Sequence, residues 1–451
     1  MFFKFSYKWT ILIPLIFCLS SHAQDFKGIH SSNYFPLQNI YNQPADLVRN
    51  ERRWQVNILS ADLQFTHNMT LGEENYFNSI IKSTKWDNLD LFLNTENLEL
   101  VVLGSVMLPS VSYKINAKHA LAFSIKLPAH GLYKTSNNDL VHLFQGISNP
   151  EGLNDLQGEY FKGIVNQWTE FSLSWSGLIW KNKEHQITGG FNLNYLVGGG
   201  AGYFDLDGID VSYDPDQIDY FDMEVTYAIN KNLGEVINTG NIDLFGDKGF
   251  GVDLGVSYSY SPSHKPDIPY LFKLGLVAKN LGSLKYSSDI ESGTFHISVQ
   301  EISYDTFENI NSIQELIDTL KGVVEFSETS NNSFKLDLPS SYALTSDYCF
   351  RPNWYLATYL GYQPSFYRNI KNISNNNQWS FGLTPRFENK AWGVYLPFFH
   401  KPDKNRLGLA LRYKFFFVGS STLIGNAFTK EQENATLYFG FNVPLGKKLK
   451  L

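Results

Sequence analysis

The chain has 451 residues, with 37 Lys and Arg against 44 Asp and Glu for a formal charge of −7, and 16% of its residues are aromatic. That length suffices for two or three soluble domains or one large barrel, and an acidic balance with no basic stripe or stacking platform gives no reason to expect a nucleic-acid partner. Charged residues at 18% are few for a soluble protein, yet mean hydropathy is slightly negative, as expected when half of every strand faces lipid and half faces water.

At the N-terminus, Lys4 and Lys8 precede the apolar run Trp9 to Leu19 and the small residues Ser21 and Ala23. This reads as a secretory signal peptide over residues 1–23, cleaved after Ala23 and too short to span a bilayer. Cys18 follows bulky Phe17, where a lipoprotein site carries a small residue. Removal of the signal leaves Cys349 as the single cysteine, so neither an internal disulfide nor a thiolate metal site is expected. Residues 24–53 lack period-two alternation and are long enough to fold back as a plug-like segment. The barrel is assigned to residues 54–446 and a short basic tail to 447–451.

Alternation then dominates. Phe171, Leu173, Trp175 and Ile179 face away from Ser172, Ser174 and Ser176. Phe221, Met223, Val225 and Tyr227 face away from Asp222, Glu224 and Thr226, and Val252, Leu254 and Val256 from Asp253 and Ser257. Less regular strands begin at Trp54, Leu98, Val111, Leu121, Phe295, Tyr342, Trp354, Trp379 and Val394. The most regular segment is Asn405 to Gly419, where Leu407, Leu409, Leu411, Tyr413, Phe415 and Phe417 alternate with small or cationic residues and read as one long membrane stave. Soluble strands run to about 5–6 residues, whereas a tilted bilayer-crossing strand needs about 9–11. A soluble sandwich would bury the Asp, Glu and Lys of the polar faces in a core; a water-filled lumen hydrates them. The expected fold is therefore all-β, a transmembrane antiparallel β-barrel of about 14 strands, within a range of 12–16.

Three insertions interrupt the meander: 72–97, 137–167 and 305–330. The last contains NSIQELIDTLKGVVEF, whose Ile313, Leu316, Ile317 and Leu320 have helical spacing. The acidic run from Asp205 to Glu224 reads as a solvated hairpin loop, because its spacing fails the EF-hand pattern. The glycines at 198, 199, 200 and 202 lack the Lys-Ser/Thr of a phosphate loop and read as flexibility at a strand end. No serine elbow, zinc-helix or paired-Cys motif is legible, so no catalytic residue, cofactor or metal is assigned. Arg406, Arg412, Lys414, Lys273, Lys279, Asp222, Glu224 and Asp253 fall on polar strand faces and are the lumen-lining candidates.

Several stretches resemble a known family: GIHSSNYFPLQNIYNQPADLVRN near the start, GVDLGVSYSY followed by KLGLVAKNLGSLKY, then LTPRFENKAWGVYLPF and FFFVGSSTLIGNAF. They are similar to outer-membrane barrels of Bacteroidota classed as a domain of unknown function, distantly similar to long-chain fatty acid transporters and type IX secretion barrels. The resemblance covers nearly all of the mature chain. In the transporter-like barrels an Asn-Pro-Ala element belongs to a lumen plug; Asn42, Pro44 and Ala45 resemble it, with Gln43 inserted. The resemblance implies an outer-membrane location, contact with membrane lipid, and passage or capture of a small solute, hydrophobic if the transporter likeness holds. A second expectation, from another class, is a non-enzymatic anchoring barrel with a cell-envelope protein partner for secretion or surface assembly.

Overall fold

The computed structural model describes residues 26–68, 97–137, 155–214, 217–230, 246–265, 267–303, 331–364, 378–401, 404–428 and 434–449, with isolated positions between them. The residues read as a signal peptide, 1–23, and the amphipathic stretch at 305–330 lie outside the described residues. Among the described residues no helix is long and apolar enough to cross a membrane.

Fourteen strands form one antiparallel ring. They are β1 (Arg52–His67), β2 (Leu98–Met107 continued by Ser110–Lys114), β3 (His119–Thr135), β4 (Leu156–Lys181), β5 (His185–Tyr213), β6 (Gln217–Ile229 continued by Lys248–Tyr260) and β7 (Phe272–Ser303). The other half comprises β8 (Asn331–Asp337 and Ser341–Arg351), β9 (Trp354–Gln363), β10 (Gln378–Glu388), β11 (Trp392–Tyr395 and Phe398–Lys401), β12 (Lys404–Leu407 and Leu409–Tyr413), β13 (Phe416–Ser420) and β14 (Asn434–Lys448). Pairing of β1 with β14, from Arg52 opposite Lys448 to Thr66 opposite Asn434, closes the ring. Closure satisfies every edge, the condition under which a sheet can stand in lipid.

The two faces sort by residue type. Leu121, Phe123, Leu173, Leu193, Leu254, Val256, Leu276, Leu344 and Leu411 are exposed on the outer face, while Ser124, Ser172, Ser174, Asn192, Asn194, Asp253 and Ser257 are buried on the inner one. One end of the ring has short connections, such as Pro352–Asn353 and Lys414–Phe415; at the other end β4 to β7 extend together far past the other strands. In barrels of this kind the short turns face the periplasm.

Several expectations are corrected. The stretch 405–419 is not one stave: Tyr413 pairs with Phe416 and Arg412 with Phe417, so β12 and β13 form a hairpin turning at Lys414 and Phe415. The alternation runs through the bend, and no Gly or Asn marks it, because Lys414 itself adopts the positive φ of 51°. Phe417 consequently faces inward and is fully buried rather than lipid-facing. The acidic run is not a hairpin loop either: residues 205–213 and 217–224 are paired strands of β5 and β6. The 137–167 insertion ends earlier than its sequence suggests, since β4 begins at Leu156, and Lys447 and Lys448 belong to β14 rather than to a tail.

The glycine cluster also has a different role. The pairing of β6 is interrupted between Ile229 and Lys248, and opposite that break β5 changes register at 198–201 while β4 bulges at Gln167. Tyr286 of β7 reaches across, and its hydroxyl donates to Asn166 Oδ1 at 2.5 Å. A Cβ on Gly198 would stand 2.4 Å from the Tyr286 ring, so glycine is what lets the phenol fill the gap.

Candidate functional site: the lumen and its N-terminal segment

Residues 26–50 lie inside the ring and are almost wholly buried. They form a turn at Ile29–Ser31, helix α1 at Pro36–Asn39 and a short 3-10 helix at Pro44–Arg49; prolines start the latter two, where the missing N–H costs no bond. The segment carries two small cores of its own. Phe26, Ile29 and Phe35 pack on Tyr395, Ala410, Phe417 and Tyr438 of β11–β14, and Leu37, Ile40, Tyr41, Leu47 and Val48 pack on Met107, Ala120 and Ala122 of β2 and β3.

Polar contacts fix it to most of the wall. Gln55 of β1 holds Leu37 N and Tyr34 O, and Gln38 is bonded to Asn57 and Asn442. The Tyr41 hydroxyl lies 2.8 Å from Ser124 Oγ, with Lys126 Nζ over its ring. Asn192 Nδ2 donates to Ile40 O, Ser176 Oγ to Ala45 O, and Lys114 Nζ to Asn50 O. Backbone groups of a non-strand segment need such partners when water is excluded.

The sequence-derived plug residues sit against a notch of glycines. A Cβ on Gly190 would lie 2.6 Å from the Pro44 carbonyl group, and one on Gly255 would lie 2.1 Å from Gln43 Oε1 and 3.0 Å from Pro44. Gly190 and Gly255 are register partners on β5 and β6. Asn42 receives Lys279 Nζ at 3.0 Å. The inserted Gln43 lies against Gly275 of β7 as well, so the insertion is accommodated by missing side chains in the wall.

Two ionic clusters lock the segment. Asp46 receives Lys273 Nζ at 2.7 Å and Arg49 Nε at 3.1 Å. Burial would raise its carboxyl, but Lys273 and Arg49 outweigh that and hold it below the usual carboxylate range. The second cluster joins strands far apart in sequence. Arg386 of β10 binds Asp347 of β8 in bidentate fashion at 2.8 and 2.7 Å and reaches Glu388 at 3.2 Å. Glu388 in turn accepts from Ser32 Oγ at 2.8 Å, Asn33 N at 3.1 Å and Tyr395 OH at 2.9 Å, while Tyr270 OH touches both Asp347 and Asn33. Half-buried His30 lies nearby, and burial, reinforced by Lys279, Arg386 and Lys27, lowers its imidazole to about 4.

The lumen candidates divide accordingly. Arg412 is buried against the Tyr34 ring and donates to the carbonyls of Trp392, Lys414 and Asn389. Arg406 donates to Asn434 Oδ1 at 2.7 Å and Thr66 Oγ1 at 3.3 Å. Asp253 organises Asn192, Asn194 and the backbone of Asn280. Asp222 and Glu224 stand above the ring in the extension of β6, Asp222 beside His296 at 3.2 Å. Lys414 is not in the lumen but exposed in the β12–β13 turn. Among the described residues no cluster of His, Cys, Asp or Glu could hold a metal. Sequence reasoning missed Asp46, which lies in the segment without alternation, and Asp347, Arg386 and Glu388, whose strand-face alternation marks them as inward but cannot say which meets the segment.

Above the segment, toward the long-loop end, the lumen becomes apolar. Ile164, Trp168, Leu196, Ala201, Leu284, Tyr286, Phe334, Leu336 and Leu338 form one buried cluster spanning β4 to β8.

Fold and lumen together define a closed membrane-type β-barrel whose interior is occupied by its own N-terminal segment. The chain belongs to a family of unknown function, DUF5723, whose pattern matches residues 44–421. No curated protein matches it. Similar solved structures include a mutant of the TodX monoaromatic hydrocarbon channel (TM-score 0.47, 8% identity, 90% of this chain and 94% of that chain). Others are a FadL homologue from Pseudomonas aeruginosa (0.42, 10%, 90% and 92%) and the translocator domain of the autotransporter NalP from Neisseria meningitidis (0.36, 7%, 91% and 95%).

Proposed function

We propose that the protein is a non-enzymatic outer-membrane barrel that captures a small apolar solute from outside and passes it inward when the N-terminal segment yields. The observation that carries this reading is the sequence of environments along the lumen: an apolar inner cluster from Ile164 to Leu338 stands directly above a segment held by polar and ionic contacts. An apolar guest gains by leaving water for such a surface, at about 25 cal/mol per Å² buried, and it offers nothing to the hydrogen-bonding groups below. On this reading residues 26–50 close the bore.

Deleting residues 24–49 tests the closure. The full-length mature protein in planar bilayers is expected to be silent or nearly so, and the deletion variant to conduct steadily; an equally silent deletion variant would sink the plug. Extraction of the purified protein followed by mass spectrometry should find a co-purifying apolar molecule, lost on Leu336→Lys. A stoichiometric protein recovered from membranes in its place would favour the anchoring alternative.

A further inference from the structure

The charges of this acidic chain are unevenly divided between the two ends of the barrel. Fourteen strands make seven junctions at the short-turn end, counting the β14–β1 seam, and every one carries an exposed cation. Lys118, Lys183, Lys265, Lys390 and Lys414 occupy five of the six turns, Arg351 ends β8 at the sixth, and Arg53, Lys447 and Lys448 lie at the seam. Only Glu51, Glu184 and Asp267 oppose them there among the described residues, and Glu51 is paired with Lys448 at 2.8 Å. Toward the long-loop end the exposed charges of the described residues are mixed, with Glu99, Asp155, Asp219, Glu224 and Glu301 beside Lys285 and Lys335.

A second observation fixes the depth of this ring. Next to the cations lie exposed aromatics of the outer face, several in direct contact. Arg53 lies over the Tyr113 ring at 5.3 Å and donates to its hydroxyl at 2.8 Å; Arg351 lies over Trp354 at 5.0 Å and Lys414 over Tyr413 at 5.2 Å. Trp180 precedes Lys181, and Trp392 packs on Tyr413 at 4.5 Å. Aromatic belts mark the membrane–water interface. A cation within a residue or two of such a belt, outward along the strand, stands at the level of lipid phosphates rather than in free solution.

We propose that the short-turn rim is a binding surface for anionic phospholipid headgroups, a cationic collar that selects the lipids surrounding one face of the barrel. The chemistry is that of a phosphodiester carrying net negative charge: ammonium and guanidinium groups donate to phosphate oxygens, while the adjoining rings cover the glycerol region. Across a membrane whose leaflets differ in charge, the collar also favours the orientation that sets the short-turn rim in the more anionic leaflet.

The test is quenching of tryptophan fluorescence by brominated lipids in vesicles holding the full mature protein, at constant bromine content. Trp54, Trp180, Trp354 and Trp392 are exposed beside the collar and report on it. Brominated phosphatidylglycerol is expected to be enriched around the protein roughly threefold or more over brominated phosphatidylcholine, and salt should erase the preference. In the variant carrying K118Q, K183Q, K390Q and K414Q the two lipids should quench alike, with the heat-modifiable band on a gel confirming that it folds. Equal quenching by both lipids around the wild type, or an undiminished preference in the folded variant, would overturn the proposal. So would a rim that binds soluble heparin tightly while showing no lipid preference, which would assign the collar to another polyanion.

Discussion

Arg386 concentrates the energetics of the lumen. Its guanidinium is fully buried between Asp347 and Glu388 and stacks on Tyr355 at 4.4 Å. Removing the cation leaves two buried carboxylates with hydrogen bonds from Ser32, Asn33, Tyr395 and Tyr270 but without their counter-charge, and breaking a buried ion pair this way costs about 3–5 kcal/mol. Arg386→Met is therefore expected to unfold at lower denaturant than the wild type. Much of that loss should be recovered in the triple variant R386M, D347N and E388Q, which leaves no buried charge; urea titration checks both. A different kind of residue is Gly190, where any side chain meets the Pro44 backbone. Gly190→Val should eject the N-terminal segment without harming the ring, read as conductance like that of the deletion variant with an unchanged folded band. His30 supplies a pH dependence. Its docked form is held neutral at about 4 against an ordinary value of 6.5, so docking is fully stable above 6.5 and weakens as pH falls from there toward 4. The contribution is about 2 kcal/mol after allowing for partial solvent contact. Protonation of Asp46, whose value is also depressed, acts in the same sense at lower pH. Channel openings should thus become more frequent on acidification through that window, and His30→Gln should remove the upper part of the response.

At the scale of elements, the N-terminal segment and the β12–β13 hairpin behave differently toward sequence reading. Residues 24–53 stand out because they lack alternation, and Asn42, Pro44 and Ala45 do face the lumen wall. What holds them is legible only in part, since Gln55, Glu388 and Lys273 lie 18 to 356 positions from the groups they bind. In the hairpin the period of two survives the turn, so the pattern conceals it. A register of paired Cα atoms, not hydrophobicity, separates the two strands. The break in β6 is similarly silent: each half alternates well, and only the pairing of β5 with both halves reveals them as one interrupted strand.

For the whole molecule, ring closure makes folding cooperative, because the seam between β1 and β14 joins the two ends of the chain and is worth nothing until the intervening strands are in place. Cys349 offers a gauge of that state. It is fully buried on the inner face of β8 beside Tyr270 and Tyr355. A bulky maleimide should leave it unlabelled in the folded barrel and modify it in step with loss of the fast-migrating band on heating; ready labelling of the folded band would contradict the inward placement.

The sequence by itself determined the class of this protein. Alternation over more residues than a soluble strand uses, with lipid-compatible side chains on one face and hydrated ones on the other, is dictated by the bilayer and leaves its mark locally. The lack of alternation before Arg52 also sets that segment apart from the wall strands. Which inward charges meet, where a stave bends back, why glycines at 190, 198, 255 and 275 are required, and that cations gather at one rim were decided only by the tertiary structure. The physical reason is that each depends on register and curvature between strands remote in the chain, and a period of two records which face a residue takes but not what stands opposite it.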